Sequence, residues 1–304
     1  MNTQAKGVLL TVIAAISWGL SGTSGQYLMA QGVPVNLLSI LRLGIAGIVL
    51  TIVVLLTDRE AFWRLLHNKR DLLQAGLFGI FGLLLNQYAY LQAIHYTNAG
   101  TATVLQYVTP VLILIVTCVV ARRLPTVAEV FAILFAISGT YIMATHGQFG
   151  ELAVTPLGLF WGLLSAVTYS LYLLLPTKLI KTYGALPVIG PSMLFAGLVF
   201  WLVNWSTPLD LHLTVSTGGA YLGLIGVGTI IAYTLFLRGV SLIGAVKGSL
   251  LASIEPVSAV FFSVLIMHDI FYPVDFLGMI FILVGVFLIT LKDFLALKRA
   301  QKID

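Results

Sequence analysis

Two charged residues lie inside apolar stretches long enough to cross a bilayer, and they are the side chains most able to do chemistry. Arg42 lies within the stretch 35–57, and Glu255 lies within the stretch 247–267, directly before Pro256. Placing an arginine centrally in a membrane helix costs roughly 2.5 to 3.5 kcal/mol, so Arg42 should face a partner or a wet cavity. Both residues are therefore candidates for binding a polar or charged substrate.

Structural roles stay open for both residues. Arg42 could bond loop carbonyls or extend its head group to the outer surface. Glu255 could accept hydrogen bonds from backbone groups that Pro256 leaves free, or contact a neighbouring helix. It could also exchange a proton, because removal from water favours the neutral carboxyl. With a rise of about 1.5 Å per residue in a core of about 30 Å, we expect the two residues at levels about 8 Å apart. They could then neutralise each other, or hold a zwitterion with its carboxylate at Arg42 and its ammonium towards Glu255.

Polar and aromatic residues at helical spacing could complete such a pocket. Asn86 and Tyr90 are one helical turn apart, and Gln87 adjoins them. The remaining candidates for substrate binding are Trp18, Gln106, Tyr107, Tyr169 and Tyr172. An aromatic wall with amide donors suits an amphiphilic or cationic metabolite. Taken singly, a Tyr or Trp in a membrane helix more often belongs to the helix core or to an interfacial belt.

The histidines and the single cysteine form no pattern typical of a metal or cofactor site. None of the 5 His residues pairs with another at the ligand spacing of a zinc helix, and Cys118 stands alone within the fourth stretch. The sequence contains no phosphate-binding loop and no nucleophile elbow, which disfavours ATP-driven transport. We therefore expect no cofactor and no catalytic residues.

Composition places the chain in a lipid bilayer. Of the 304 residues, 59% are hydrophobic and only 9% are charged, against roughly a quarter charged in globular proteins. Each span needs about 20 apolar residues. Ten stretches of that length fill the chain and leave no room for a soluble or nucleic-acid-binding domain. They are residues 7–30, 35–57, 72–95, 99–121, 126–146, 156–177, 186–206, 216–238, 247–267 and 274–292.

Basic residues alternate between the gaps that separate these stretches. Of the 16 Lys and Arg residues, all except Arg42 lie at the N-terminus, in every second gap, or at the C-terminus. The intervening gaps around 31–35, 97–99, 147–155, 207–215 and 268–275 contain neither. Positive charge near span ends is retained in the cytoplasm. We therefore expect a multi-pass protein of the plasma (inner) membrane with both termini cytoplasmic, and this rule also accounts for the net charge of +5 without nucleic acid.

The second half of the chain repeats the first. Shifting the sequence by 146 positions lays Leu91 on Leu237 and Pro110 on Pro256, with further matches between them. Each half holds five predicted spans, an odd number, so the second half should be inverted in the membrane. Inverted repeats are typical of transporters, with the substrate near the midplane. The predicted fold is an all-α membrane protein with repeats at 1–146 and 156–292 and a basic tail at 293–304.

The same residues carry a family resemblance across the whole chain. Trp18 with Gly19, Arg42, the stretch 93–110 and the stretch 254–257 resemble the paired EamA domains of the drug/metabolite transporter superfamily. The resemblance implies a ten-helix carrier with a central cavity that works by alternating access and usually exports small metabolites. One departure is clear. The Gly-Glu pairs that commonly close the fourth and ninth spans are replaced by Ala121-Arg122 and His268-Asp269.

The leading hypothesis is a secondary-active or facilitative carrier that exports amino acids or related compounds, as a monomer or homodimer. Its expected partners are a small-molecule substrate, the lipid bilayer and, as one option, protons. A second hypothesis is an importer of an organic cation such as a quaternary amine, selected by an aromatic cage. An intramembrane enzyme would need paired carboxylates, a His cluster or a Ser/Lys pair at one depth, and is disfavoured. A channel is less compatible with proline-bearing repeats than a carrier is.

Overall fold

The computed structural model describes residues 3–148 and 152–300, and the side chains of 245, 246, 249, 250 and 289–300 are outside that description. Within these ranges every regular element is a helix, as the composition predicts. The helices are α1 Thr3–Ala30, α2 Val35–Thr57, α3 Arg59–His67, α4 Lys69–Tyr96, α5 Ala99–Val120, α6 Val127–Thr145, α7 Pro156–Tyr183, α8 Ala185–Val203, α9 Val215–Ile243, α10 Ala245–Ala252, α11 Ile254–Met267 and α12 Pro273–Ala300. The predicted outer loop around 150 and the end of the basic tail fall partly outside the described residues.

Eight of the described helices are long and apolar enough to cross a membrane, and two shorter apolar helices follow them. The eight are α1, α2 and α4 to α9, and the shorter pair is Ile254–Met267 and Pro273–Leu288. The ninth predicted span is divided because a turn at Ser253 separates α10 from α11. The all-α membrane fold is confirmed, whereas the arrangement as ten inverted spans stays a prediction.

One predicted loop is a helix. The basic gap between the second and third spans contains α3, which places Arg59 and Arg64 on the outside while Ala61 and Leu65 are buried against the bundle. Asp58 starts this helix by accepting a hydrogen bond from the Ala61 backbone N–H at 3.2 Å. This helix was not predicted because the segment is too polar for a membrane span, although its apolar residues recur at helical spacing.

Capping side chains begin two of the helices, and glycines with positive φ separate others. Asn98 accepts the Thr101 N–H at 2.7 Å to begin α5, and Thr126 with Glu129 forms a capping box that begins α6. Gly184 and Gly244 adopt φ values of 86° and 85°, which favour glycine, and they separate α7 from α8 and α9 from α10.

Regular helix geometry is interrupted at four places, and the 146-residue shift superimposes them in two pairs. The segment Phe78–Leu84 of α4 and the segment Leu222–Ile231 of α9 are π-helical. Likewise α5 is interrupted by a turn at Tyr107, and the position 146 residues later is Ser253, where α10 ends. Each irregularity leaves backbone groups outside the regular i to i+4 pattern, and such sites are frequent near functional residues.

Helices from the two halves of the chain pack against each other. Extensive interfaces join α2 with α8 and α6 with α12. In addition α1 packs against α9 and α11, while α7 packs against α4 and α5. Large apolar side chains such as Ile48, Ile52 and Leu56 face outwards, as lipid contact requires. The polar residues deep in the bundle are therefore enclosed by helices of both halves.

Small residues let two of these interfaces close tightly. A Cβ atom built on Gly47 of α2 would lie 2.5 Å from the Leu194 Cα of α8, and one on Gly197 would lie 2.7 Å from the Gly44 backbone nitrogen. The pair α6 and α12 is equally close, since a Cβ on Gly139 would lie 2.6 Å from the Gly278 carbonyl oxygen. Close approach of backbones increases the van der Waals packing that helps membrane helices to associate.

We predict that Gly47→Ala destabilises the protein while Gly44→Ala, one turn earlier on α2, does not. A Cβ at Gly47 meets the α8 backbone, which cannot rotate away, whereas no described atom lies within 4 Å of a Cβ at Gly44. Overpacking of this kind costs about 1 to 3 kcal/mol. Thermal unfolding of the two purified variants in detergent measures the difference, and equal midpoints would contradict the tight α2–α8 contact.

Candidate functional site

A small polar cavity of about 50 Å³ lies where the interrupted helices meet. Ten residues line it: Trp18, Arg42, Asn86, Gln87, Tyr90, Gln106, Tyr169, Tyr172, Tyr233 and Glu255. The structure thus brings together all of the sequence-predicted site residues except Tyr107, which lines an adjoining cavity. Their role in binding a substrate stays a prediction.

The helix interruptions place these side chains. Asn86, Gln87 and Tyr90 follow directly after the π-helical segment of α4, and Tyr233 follows the π-helical segment of α9. Gln106 and Glu255 flank the breaks in α5 and between α10 and α11. Six of the ten lining residues thus lie beside a departure from regular helix geometry.

Arg42 is 6% exposed and is held by one hydrogen bond. Its Nε–H donates to the Thr229 hydroxyl oxygen at 3.0 Å, and the Thr229 hydroxyl donates to the Leu224 carbonyl at 3.0 Å within the π-helical segment of α9. Among the described residues, no carboxylate oxygen lies within 4.0 Å of the Arg42 guanidinium. The other guanidinium N–H groups therefore lack an ionic partner in this part of the chain.

Glu255 lies on the opposite helix of the same cavity, at the start of α11. The Tyr107 hydroxyl contacts it at 3.3 Å and donates a shorter hydrogen bond of 2.6 Å to the Ala252 carbonyl. In the described structure no backbone N–H donates to the Glu255 carboxylate, and α11 has no side-chain cap. Of the structural alternatives, contact with a neighbouring helix is present, whereas capping after Pro256 is absent from the described hydrogen bonds.

Arg42 and Glu255 are therefore not a direct ion pair. Mutual neutralisation was one expectation, but they line one cavity without touching, each held by a neutral hydroxyl. An uncompensated pair of opposite charges in a bundle interior is costly, because low polarity strengthens the desolvation penalty. A ligand that carries both charges would offset that cost.

The amide and hydroxyl groups between the two charges are mostly paired with each other. Gln106 donates to the Asn86 amide oxygen at 3.1 Å, and the Tyr90 hydroxyl pairs with Thr103 at 2.7 Å. Gln87 is the exception. It is 4% exposed, and neither its amide nitrogen nor its amide oxygen has a hydrogen-bond partner among the described residues.

Aromatic rings form the wall between the polar cavity and a larger one of about 450 Å³. The two cavities share Trp18, Tyr169, Tyr172 and Tyr233. The rings of Tyr169 and Tyr172 stack with centroids 5.5 Å apart, and Trp18 meets Tyr233 edge-on at 5.7 Å. The wall can therefore contact a cationic or apolar group from several sides.

The larger cavity extends towards the basic segments. Pro176, Ile180 and Leu237 line it, and they adjoin Lys178, Lys181 and Arg238 in sequence. Hydrogen bonds cross the other end of the bundle. There Gln26 of α1 donates to Asp269 at 2.8 Å and accepts from the Ala99 N–H at 2.8 Å. These contacts favour access to the site from the side of the basic segments.

Two residues of this site, Tyr233 and Thr229, were not predicted from the sequence, and Gln87 was identified only as a neighbour of Asn86. The 146-residue shift carried the signal for Tyr233, because it superimposes Gln87 on Tyr233 and Leu83 on Thr229. Extending the repeat by two turns before Leu91 would have identified both positions in α9.

Comparison with known proteins gives a family match over nearly the whole chain. The model of the EamA-like transporter family matches residues 5–145 and again residues 156–291. The chain is 36% identical over 296 residues to the uncharacterized inner membrane transporter YicL of Salmonella typhimurium, covering 96% of this chain and 98% of that protein. It is 26% identical over 292 residues to the uncharacterized transporter YetK of Bacillus subtilis, covering 94% and 87%. A crystal structure that is 18% identical shares the fold, with a TM-score of 0.61 over 94% of this chain and 97% of the other.

We predict that the larger cavity is reached by water from the basic side only. In a Cys118→Ala background, Ile180→Cys should react with a membrane-impermeant maleimide added to that side, and Leu134→Cys, on the lipid-facing surface of α6, should not react from either side. Inverted and right-side-out membrane vesicles separate the two sides. Labelling of Ile180→Cys from the opposite side alone would contradict access from the basic side.

Proposed function

Because the chain belongs to the EamA-like transporter family, we propose that it carries small metabolites through the polar cavity by alternating access. Membership confirms the resemblance seen in the sequence and makes the protein a membrane-embedded transporter. One observation carries the proposed site: Arg42 and Glu255 line one buried cavity without neutralising each other.

The proposed architecture is ten spans in two inverted repeats, residues 1–146 and 156–292. If each span of the first half is exchanged with the span five places later in the chain, the pairs of helices that pack together stay the same. The packing of α1 on α9 and α11 then corresponds to that of α7 on α4 and α5, and the pairs α2–α8 and α6–α12 map onto themselves. The helix irregularities obey the same relation. These correspondences support a two-fold relation of the halves, as alternating access requires.

The proposed cycle begins from a state open to the basic side, which the charge distribution makes cytoplasmic. The large cavity supports this orientation, as does the hydrogen-bonded closure between Gln26, Ala99 and Asp269 at the far end. A carrier that loads from the cytoplasm and releases outside is an exporter. Both termini are cytoplasmic in this proposal.

The proposed substrates are amino acids or related zwitterions. A carboxylate at Arg42 would receive charge-assisted hydrogen bonds, and an ammonium would lie between Glu255 and the aromatic rings. The polar cavity of about 50 Å³ exceeds the ~10–15 Å³ that one buried water needs, so it admits a small polar group. The side chain of the substrate would extend into the cavity of about 450 Å³.

The alternative, import of a quaternary amine, keeps the aromatic wall but leaves Arg42 unexplained. A lone cation would gain from Tyr169, Tyr172 and Glu255, and would be repelled by a guanidinium in the same small cavity. The position of Arg42 therefore favours a substrate that also carries negative charge.

We predict that Arg42→Gln abolishes most transport without unfolding the protein. Loss of a charge-assisted hydrogen bond to the substrate should lower the transport rate by about tenfold or more. Counterflow of radiolabelled amino acids in proteoliposomes that contain the full chain measures this effect. Arg238→Gln, the same substitution at an exposed position of α9, serves as the control. Normal counterflow by Arg42→Gln at equal reconstitution would exclude Arg42 from the site.

We predict that Glu255 couples transport to protons. Protonation from one side would remove the charge that holds the substrate ammonium, so a pH gradient should drive substrate accumulation in wild-type proteoliposomes. Glu255→Gln should retain exchange of substrate for substrate and lose the response to the gradient. If both proteins were indifferent to pH, coupling through Glu255 would be wrong and the carrier would be facilitative.

A further inference from the structure

The unpaired amide of Gln87 is the one side-chain amide of the polar cavity that lacks a partner in the described structure. Gln106 and Asn86 bond each other, and Gln92, one turn beyond the cavity on α4, donates to the Tyr88 hydroxyl at 2.7 Å. Gln87 lies among the same helices, is 4% exposed, and has both its N–H and C=O groups unpaired. A buried amide is normally hydrogen-bonded, because leaving it unpaired forfeits its hydration.

The cavity that Gln87 lines is a place from which a partner can reach this amide. Gln87 is part of the cavity lining, together with Arg42 and Glu255. The amide oxygen needs a donor and the amide nitrogen needs an acceptor, so the occupant must supply both. A carboxylate supplies acceptors only, and a quaternary ammonium supplies no donor at all. A head group with a carboxylate beside an ammonium that bears N–H groups supplies one of each.

We propose that Gln87 is a specificity-determining residue, which selects substrates whose cationic nitrogen carries N–H and rejects their N-trimethylated analogues. This inference rests on the proposed function, since it assigns the substrate class of the same cavity. The substrate ammonium donates to the Gln87 amide oxygen, and the substrate carboxylate accepts from the Gln87 amide nitrogen. Arg42 and Glu255 attract the two charges, and a trimethylammonium group satisfies both charges equally well. Gln87 therefore distinguishes substrates that the two charged residues cannot.

The rigidity of the site supports this role. Gln87 is on the helical part of α4 that follows the π-helical segment, and the neighbouring Asn86 is fixed by its bond from Gln106. The amide is therefore presented at a set depth instead of on a loop. A site built to bond a substrate N–H discriminates strongly against an analogue without it, because its own polar group is then left unpaired.

The test compares L-phenylalanine with its N,N,N-trimethyl betaine in proteoliposomes that contain the full chain. The side chain of both probes fits the larger cavity, and both carry the same two charges. Wild type should transport phenylalanine with a kcat/KM at least about tenfold above that of the betaine. Gln87→Met should bring this ratio close to one, mainly by loss of phenylalanine transport. Methionine has nearly the same length as glutamine, so any rejection of the trimethyl group by size alone would survive the substitution.

Gln92→Met is the matched control, since it removes a paired amide from the same helix, and it should keep the wild-type ratio. Gln87→Met should also unfold no earlier than wild type without ligand, because no described protein partner is lost. An unchanged ratio in Gln87→Met with active transport would overturn the role of Gln87 and leave the carrier assignment intact. Failure of wild type to transport either probe would overturn the amino-acid assignment and this inference together.

Discussion

Hydrocarbon offers no hydrogen bonds, and this constraint governs most of the architecture. Every polar group inside the bilayer must be satisfied by the protein or by what the protein binds. Serine and threonine hydroxyls of the spans satisfy this requirement within their own helix. Thr11 donates to the Gly7 carbonyl and Ser39 donates to the Val35 carbonyl. Among the described residues, the buried side-chain groups without a partner are the hydroxyls of Thr51 and Ser192 and the amide of Gln87, and of these Gln87 lines the polar cavity. The unpaired amide and the candidate site therefore coincide.

The same constraint explains how much of the fold was predictable. Apolar runs must match the bilayer thickness, so the long helices and their order followed from the sequence. The helix α3 was missed because it lies where the constraint does not act, beside the charged segment between two spans. The division of the ninth span at Ser253 was missed for a different reason. A single turn inside an apolar run leaves the hydropathy unchanged.

The site was predictable in its charges and less so in its neutral partners. Arg42 and Glu255 were evident because a charge in an apolar run is expensive. The bond from Arg42 to Thr229 joins residues 187 positions apart, and nothing in the local sequence of either residue indicates it. Gln87 was visible as a polar residue, but its lack of a partner is a property of the folded structure. Sequence locates costly groups, whereas only the fold shows which of them remain uncompensated.

The π-helical segments of α4 and α9 are places where the backbone hydrogen-bond register of each helix can change. A π-turn accommodates one residue more than an α-turn, so its conversion to α geometry would rotate the rest of the helix by about 100° and advance it by about 1.5 Å. In α4 that rotation would turn Asn86, Gln87 and Tyr90 off the cavity together, and in α9 it would do the same to Tyr233. The binding surface could thus be assembled or dismantled by a change of hydrogen-bond register inside two helices.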